Sequence, residues 1–162
     1  MNFRPYTLAD KAACLTVFDS NTPKFFAEHE RDDFSQFLDA PGGSYFVVEH
    51  ENGVVIGCGG YWGYADGRVA LTWGMVAQSH HRRGIGRWLL LKRLAQLCSA
   101  REFEIVTIET SQHSCGFFEK IGFQINEIRE NGFAPGLHLV SMRFPLDGTT
   151  CERIAHMLAK NE

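Results

Sequence analysis

The sequence lacks the patterns that mark several classes of protein. No apolar run approaches the length of a membrane-spanning helix, and Met1-Asn2-Phe3-Arg4 does not begin a secretory signal. The five cysteines are odd in number, scattered and never spaced Cys-x-x-Cys, which argues against a disulfide framework and against a zinc site. A Gly-x-x-x-x-Gly-Lys-Ser/Thr phosphate loop is also missing. We therefore expect a cytoplasmic protein with no membrane span and no metal.

The chain also lacks the excess of positive charge that a dedicated nucleic-acid binder usually carries. It has 19 acidic and 16 basic residues among 162, a formal net charge of −3, and 44% hydrophobic residues. This length and composition fit one compact unit with a substantial core. We expect a single domain over residues 1–146 and a C-terminal helix over residues 147–162 that packs on it.

One strongly basic segment interrupts this acidic chain, between Gly67 and Arg101. It contains seven lysine or arginine residues and no aspartate or glutamate. Such a local concentration predicts a site for one anionic ligand rather than a general affinity for polyanions. The seven residues are Arg68, Arg82, Arg83, Arg87, Lys92, Arg93 and Arg101.

A glycine-rich turn lies inside the basic segment, where Gly84-x-Gly86 follows a strand-like stretch and opens an apolar helical segment. The first turn of a helix leaves several backbone N–H groups without partners inside the helix. Those donors and the positive end of the helix dipole form a seat for phosphate oxygens. We predict a diphosphate site here. The alternative is an ordinary solvated turn, because an isolated Gly-x-Gly is not specific.

Lys92, Arg93 and Gln96 share one arc of the helix that follows this turn. The helix is otherwise apolar and is therefore expected to be largely buried.

Residue periodicity and turn signals predict the order β-α-α-β-β-β-α-β-α-β-β-α. Asn52-Gly53 and Asp66-Gly67 are typical hairpin turns, so three antiparallel strands are expected in succession. The order implies a mixed sheet in which a helix crosses between the fourth and fifth strands. The expected strands cover residues 2–6, 44–49, 54–61, 69–77, 105–110, 123–129 and 137–144.

Three local signals predict where elements begin or join. Pro23 suits the first turn of the second helical region. Thr149 with Glu152 forms a capping-box pattern for the last helix. The final two strands are expected to join across Asn131-Gly132 and Pro135-Gly136.

The order and two motifs together resemble the GCN5-related N-acetyltransferase (GNAT) superfamily. Met75-Val76 followed by His81-Arg82-Arg83-Gly84-Ile85-Gly86 is similar to the family's Gln/Arg-x-x-Gly-x-Gly/Ala acetyl-CoA signature. The run from Phe117 to Phe123, Phe-Phe-Glu-Lys-Ile-Gly-Phe, is similar to its Phe-Tyr-Glu-Lys-x-Gly-Phe helix and strand. The resemblance implies a mixed α/β fold with a central, mostly antiparallel sheet flanked by helices. It also implies an acetyl-CoA cleft where the fourth and fifth strands splay apart.

By the same resemblance, the reaction is direct acetyl transfer from acetyl-CoA to the amine of a small molecule or protein in a ternary complex. Dimers are common in the superfamily, so a homodimer is possible; no nucleic acid or membrane partner is expected. The chain departs from the family pattern at His81, where Gln or Arg is usual, at Ser111, where Asn is common, and at Phe118, where many members have a proton-donating Tyr. The residues implied in cofactor binding are Met75, Val76, His81, Arg82, Arg83, Gly84, Ile85, Gly86, Arg87, Ser111, Ser114 and Phe117.

The chemistry requires a base, because removing a proton from an aliphatic ammonium group at pH 7 costs about 4–5 kcal/mol. Glu109, at the end of the fifth strand, is the first candidate; the alternative is an ordinary solvent-facing carboxylate. The histidines His80, His113 and His138 are further candidates, although any one of them could be structural. Ser114 or Cys115 could return a proton to the leaving thiolate in place of the missing tyrosine, and water could also do so.

The acceptor pocket is assigned by family analogy to the region around residues 23–38 and to the last hairpin. Phe25, Trp62 and Tyr64 are the predicted substrate-binding residues, with Phe26 and Phe133 as further candidates; the alternative is that such aromatic residues belong to the core. A second function remains open at this stage. A non-catalytic acyl-CoA sensor with the same fold would also explain Phe118.

Overall fold

The computed structural model describes residues 1–42 and 44–161, which form a seven-stranded sheet with helices on both faces. The strands are β1 (Asn2–Pro5), β2 (Ser44–Glu49), β3 (Val55–Gly63), β4 (Arg68–Val76), β5 (Ile105–Thr110), β6 (Gln124–Ala134) and β7 (Leu137–Pro145). The helices are α1 (Lys11–Asp19), α2 (Glu30–Asp39), α3 (Ile85–Ala100), α4 (Cys115–Glu119) and α5 (Gly148–Ala159). Short 3₁₀ turns at Leu8–Asp10 and Gln78–His80 precede α1 and α3.

The order of strands across the sheet is β1-β2-β3-β4-β5-β7-β6. Every neighbouring pair is antiparallel except β4 and β5, which are parallel and are connected through α3. The predicted order of elements and the mixed sheet are therefore confirmed. Local turn chemistry explains this success, since Gly53 and Gly67 both have positive φ, as the two predicted hairpins require.

Two layers of apolar side chains cover the two faces of the sheet. On one face, helix α3 packs through Leu90, Leu91 and Leu94 against strands β4, β5 and β7, and α5 adds Ile154. On the other face, α1 and α2 pack against β2, β3 and β4 through a second cluster that includes Phe18 and Phe34. On this same face no helix among the described residues covers β5, β7 and β6, where polar side chains lie. Within the described residues, no helix is both long and apolar enough to span a membrane.

Three predicted element ends are wrong. Pro23 follows a cis peptide bond in a turn region, and α2 begins only at Glu30, because hydrogen bonds around Asn21 hold residues 20–25 in turns. The last helix was expected to begin after Thr149 as its N-cap. Instead Asp147 is the N-cap, and its carboxylate accepts a hydrogen bond from the N–H of Thr150 at 2.7 Å. Strand β6 continues through Asn131-Gly132 with an irregular register, so only Pro135-Gly136 forms the turn.

The expectation that the cysteines stay unpaired is also corrected. Cys98 on α3 and Cys151 on α5 form a disulfide, with their Cα atoms 5.6 Å apart. The two cysteines are 53 residues apart, so no local sequence pattern marks them as a pair. The packing of α5 against α3 brings them together. Cys14, Cys58 and Cys115 are free thiols.

Candidate functional site

A cleft opens where β4 and β5 separate. The two strands pair only at three positions, the last being Ala70 with Thr107. Beyond that point β5 continues to pair with β7 as far as Thr110, while β4 runs on to Val76 beside β3. The facing edges of β4 and β5 therefore have unpaired backbone groups, which is the arrangement that a ligand with amide groups of its own can bridge.

A bulge in β4 changes which residues face the cleft. Trp73 and Gly74 together lie opposite the single residue Gly59 of β3, and Trp73 has a φ of 40°. An extra residue in one strand reverses the alternation of side chains beyond it. For this reason Leu71 before the bulge and Val76 after it both pack on the α3 face of the sheet.

The backbone of Val76 points into the cleft. The bond of 2.8 Å from Ala77 N to Ile56 O makes Gly57 and Val76 a non-hydrogen-bonded pair of the antiparallel ladder. The N–H and C=O groups of such a residue point away from the partner strand, here towards β5. Alternation directs the backbone of the neighbouring Met75 towards Cys58 on β3, and its side chain is in the core.

The carbonyl oxygen of Val76 is held by two side chains. Asn21 donates from its amide at 2.9 Å and also bonds the carbonyl of Val17, and a ring nitrogen of His81 lies 2.8 Å from the Val76 oxygen. The His81 side chain thus holds the end of β4, and the predicted contact of this residue with the cofactor stays a prediction. The role of Asn21, which is only 3% exposed, was not predicted; its pairing partner lies 55 residues away.

The glycine turn presents unpaired donors next to this strand end. The first intrahelical bond of α3 runs from Trp88 N to Gly84 O, so the N–H groups of residues 85–87 have no partner within the helix. Gly84 has a φ of 81°, and a Cβ placed on it would meet nothing within 4 Å. Arg82 and Arg83 are exposed beside it. In the described part of the chain no carboxylate lies within 4.0 Å of either arginine, so both charges are available to an anion.

Gly86 lies at the entrance between the two sides of the cleft. A Cβ placed on it would lie 3.8 Å from Val76 Cγ2, on β4, and 3.9 Å from Phe117 Cζ, on α4. Three predicted cofactor residues are therefore brought together around one narrow opening. The geometry fits a long, thin ligand arm that enters beside a phosphate seat and runs along β4.

Glu109 lies on the far side of the cleft, on the sheet face without a helix. Val106 and Ile108 of β5 pack into the α3 core, so Glu109 projects to the opposite face, where it is exposed. It lies opposite Ser141 of β7, which in turn lies opposite Glu127 of β6. Glu127 is 3.9 Å from Arg129, whereas Glu109 makes no ion pair with any residue that the structure describes. A free carboxylate thus stands beside the cleft.

Of the remaining candidates near α4, Phe25 borders the cleft, whereas Ser111, Ser114 and Phe118 belong to the turn and core around this helix. The Phe25 ring lies 5.4 Å from the His81 ring and 6.2 Å from the His113 ring, between centroids, so it borders the cleft. Ser111 is 2% exposed, and its carbonyl accepts the N–H of Ser114, the residue that precedes α4. Those serines shape the turn into α4. Phe118 is 7% exposed and packs into the core.

His138 and His80 have local partners. The Nδ1 atom of His138 lies 3.0 Å from the N–H of Asn131, within the last hairpin. His80 Nδ1 lies 3.0 Å from the hydroxyl of Ser79. Each of these contacts engages one ring nitrogen, and the backbone N–H of His138 also donates to Gln112 Oε1 just beyond β5 at 2.9 Å, so both histidines stay candidates for the base.

The structure does not bring Trp62 and Tyr64 to the cleft. Trp62 pairs with Ala70, where β4 and β5 are still joined, and this lies about 20 Å along the strand from Val76. Tyr64 stacks with Arg68 at 5.3 Å in the adjacent turn. Both rings are exposed. Their assignment to the acceptor pocket stays a prediction, and this location does not favour it.

The sequence matches the family model described as the acetyltransferase (GNAT) family over residues 14–123. This match spans both motifs and every strand that forms the cleft. The chain belongs to the GNAT acetyltransferase family. It is therefore an acyltransferase.

Solved structures of acetyltransferases show the same GNAT fold at low sequence identity. The ribosomal-protein-alanine N-acetyltransferase of Brucella melitensis is 21% identical, with 90% of this chain and 100% of that chain covered and a TM-score of 0.70. The protein yncA of Salmonella typhimurium, solved with its cofactor acetyl-CoA, is 20% identical, with 91% and 94% covered and a TM-score of 0.69. Spermidine N-acetyltransferase of Vibrio cholerae is 14% identical, with 90% and 93% covered and a TM-score of 0.70.

These likenesses establish the fold and leave the acceptor open, because the two proteins whose names state a substrate act on different ones, ribosomal-protein alanine and spermidine. Among curated proteins, none matches the sequence at a significant level.

Proposed function

We propose that this protein transfers the acetyl group of acetyl-CoA to a primary amine of a small molecule or protein, directly and within a ternary complex. The observation that carries the proposal is the juxtaposition of Val76, Gly86 and Phe117 around a cleft edged by unpaired backbone groups. The N–H groups of residues 85–87, together with Arg82, Arg83 and Arg87, would hold the diphosphate. The N–H of Val76 would bond the pantetheine arm.

The amine would approach from the face of the sheet without a helix. Glu109 faces that side, with Glu127 about 10 Å away across Ser141. Carboxylates at this position favour a cationic acceptor, and Glu109 would take the proton that the ammonium group must lose. Phe25 would border the entering amine through its contact with His113.

The transfer then needs no covalent enzyme intermediate. The neutral amine nitrogen attacks the thioester carbonyl carbon, the carbon–sulfur bond breaks, and its electron pair leaves with sulfur as the CoA thiolate. The attacking nitrogen then loses a second proton, to water or to Glu109 once Glu109 has released the first proton to solvent. Phe118 has no proton to give, so Ser114 or water would protonate the thiolate, unless it leaves as an anion.

A screen of acceptors tests the proposal. The wild-type protein is incubated with acetyl-CoA and each of a panel of amines, amino acids, polyamines, aminoglycosides and peptides, and free thiol release is followed with product mass. Amine-dependent thiol release with a mass gain on the amine supports the proposal. The variant Gly86→Glu, which fills the cleft entrance, is the matched inactive control. Tight CoA binding without turnover of any amine would instead favour the sensor function.

A further inference from the structure

A buried arginine lies directly behind the bulge of β4. Arg93 projects from α3 into the sheet and is 3% exposed. Its Nη1 donates to the carbonyl of Gly60 at 3.2 Å, and its Nε lies 3.4 Å from the carbonyl of Leu89. Helical spacing predicted that Arg93 lies on a polar arc of α3; in the structure this position is inside the protein.

Two glycines on neighbouring strands make room for the guanidinium group. A Cβ on Gly74 would lie 2.8 Å from Nη2 and 2.9 Å from Nη1 of Arg93, and a Cβ on Gly59 would lie 3.0 Å from Nη1. Gly74 and Gly59 face each other across the bulge. The guanidinium therefore fills the space that a side chain at Gly74 of β4 would occupy, and Gly74 is exposed.

The charge of Arg93 is not balanced by a carboxylate. Its ionisable neighbours are Tyr45 on β2 and Cys58 on β3, a phenol and a thiol, and no aspartate or glutamate of the described residues lies within 4.0 Å. Burial lowers the pKa of Arg93 to about 10, and the group stays positive at neutral pH. An isolated buried charge is costly, so an apolar residue would serve stability better at this position.

The expected position of the acetyl donor brings its thioester close to the charge of Arg93. If the pantetheine arm bonds Val76, the thioester beyond it reaches the next exposed part of the same strand edge, which is Gly74. We propose that Arg93 is a positioning residue whose positive charge, acting through the Gly74 peptide, stabilises the negative charge that develops on the thioester oxygen and then on the CoA sulfur. This inference rests on the proposed function.

The proposal also accounts for the missing tyrosine. The nitrogen–carbon bond forms, the carbon–sulfur bond breaks, and the electron pair goes to sulfur. With phenylalanine at 118, the thiolate can leave as an anion if a fixed cation lies nearby, because charge in a site shielded from water acts with little screening. Arg93 provides that cation without a proton transfer.

The ionisation of the thiol of bound CoA tests this directly. A cysteine thiol ionises near pH 8.5, and the CoA thiol, which lacks the neighbouring peptide groups of cysteine, ionises higher; free CoA in the same buffer is therefore the reference. The thiol of CoA bound to the wild-type protein should ionise at least one unit lower, measured by ultraviolet absorbance of the thiolate. The affinity of the wild-type protein for CoA relative to desulfo-CoA should correspondingly rise about tenfold between neutral and alkaline pH. This second measurement needs no variant.

Two substitutions then assign the effect to Arg93. Arg93→Lys retains the charge and should retain most of the shift, whereas Arg93→Met should return the bound thiol towards its free value. Arg93→Met should also lower kcat roughly 10- to 100-fold, with the KM for acetyl-CoA within a factor of about three. His81, His113 and Glu109 also face the cleft and are unchanged in both variants, so the difference reports Arg93.

The outcomes separate this inference from the proposed function. If CoA binds the wild-type protein and its thiol ionises as in solution, the role given to Arg93 is refuted while the function stands. If the lysine and methionine variants fold and lose activity equally with no change in the thiol, Arg93 only supports the fold. Absence of CoA binding to the wild-type protein overturns the proposed function itself.

Discussion

Replacing Gly86 with alanine tests the cleft at the point where Val76 and Phe117 approach it from either side. The added methyl group would lie 3.8 Å and 3.9 Å from their nearest carbons, which is ordinary van der Waals contact. The folded protein should therefore accept the substitution. Gly86 is the second residue of α3, and alanine in place of a helical glycine should stabilise the protein by about 0.5–1 kcal/mol.

The same methyl group should leave CoA binding largely intact, because the family signature admits glycine or alanine at this position. A larger, charged side chain, as in Gly86→Glu, extends beyond the methyl carbon into the opening between Val76 and Phe117. Loss of one hydrogen bond to a charged group costs about 1.5–3 kcal/mol, which corresponds to roughly 10- to 150-fold weaker binding. We therefore expect Gly86→Ala to melt roughly 1–4 °C higher with CoA affinity nearly unchanged, and Gly86→Glu to bind CoA more weakly.

Calorimetric titration with CoA and thermal melting of the same preparations measure both effects. Gly148→Ala is the matched control, because Gly148 is the first residue of α5 and a Cβ there meets nothing within 4 Å. It should leave CoA affinity unchanged. Undiminished CoA affinity in a well-folded Gly86→Glu protein would refute the placement of the ligand at this entrance.

Three further predictions concern the base, an ion pair and the disulfide. Glu109→Gln should lower kcat roughly 10²- to 10⁴-fold without weakening acetyl-CoA binding, and unchanged turnover would remove Glu109 from the mechanism. The Arg4 guanidinium, 2.8 Å from the Asp10 carboxylate, lowers the pKa of Asp10 to about 2. The ionised carboxylate therefore stabilises the fold fully at pH values above its unfolded pKa of about 3.9. This stabilisation is lost as the pH falls towards 2. Asp10→Asn should therefore cost about 2 kcal/mol by urea denaturation at pH 7 and little at pH 2, whereas equal losses at both would contradict the assignment. The unreduced, unfolded protein should titrate as three thiols, since Cys98 and Cys151 are joined; five thiols would show that this bond does not form.

The parts of the fold that the sequence predicted depend on local chemistry. Asn52-Gly53 and Asp66-Gly67 each specify a turn within a few residues, and the alternating strands beside them need no distant information. The phosphate seat at Gly84 and Gly86 is local for the same reason. The splayed strands followed from family resemblance rather than from periodicity, which does not encode where two parallel strands part.

The features that escaped prediction all join distant segments. A helical residue such as Arg93 is placed inside or outside by what faces it, and here Gly59 and Gly74 on two other strands provide the space. Asn21 acquires its role from Val76, 55 positions later. A polar residue on an otherwise apolar helix is ordinarily expected to face solvent. Only the packed structure shows that Arg93 does not.

The structure of the protein with bound acetyl-CoA tests the central claim most directly. We predict the diphosphate on the N–H groups of residues 85–87 and the pantetheine arm between β4 and β5, bonded to Val76 N, with the thioester close to Gly74. Cofactor density elsewhere on the molecule, at concentrations that saturate binding in solution, would contradict this account.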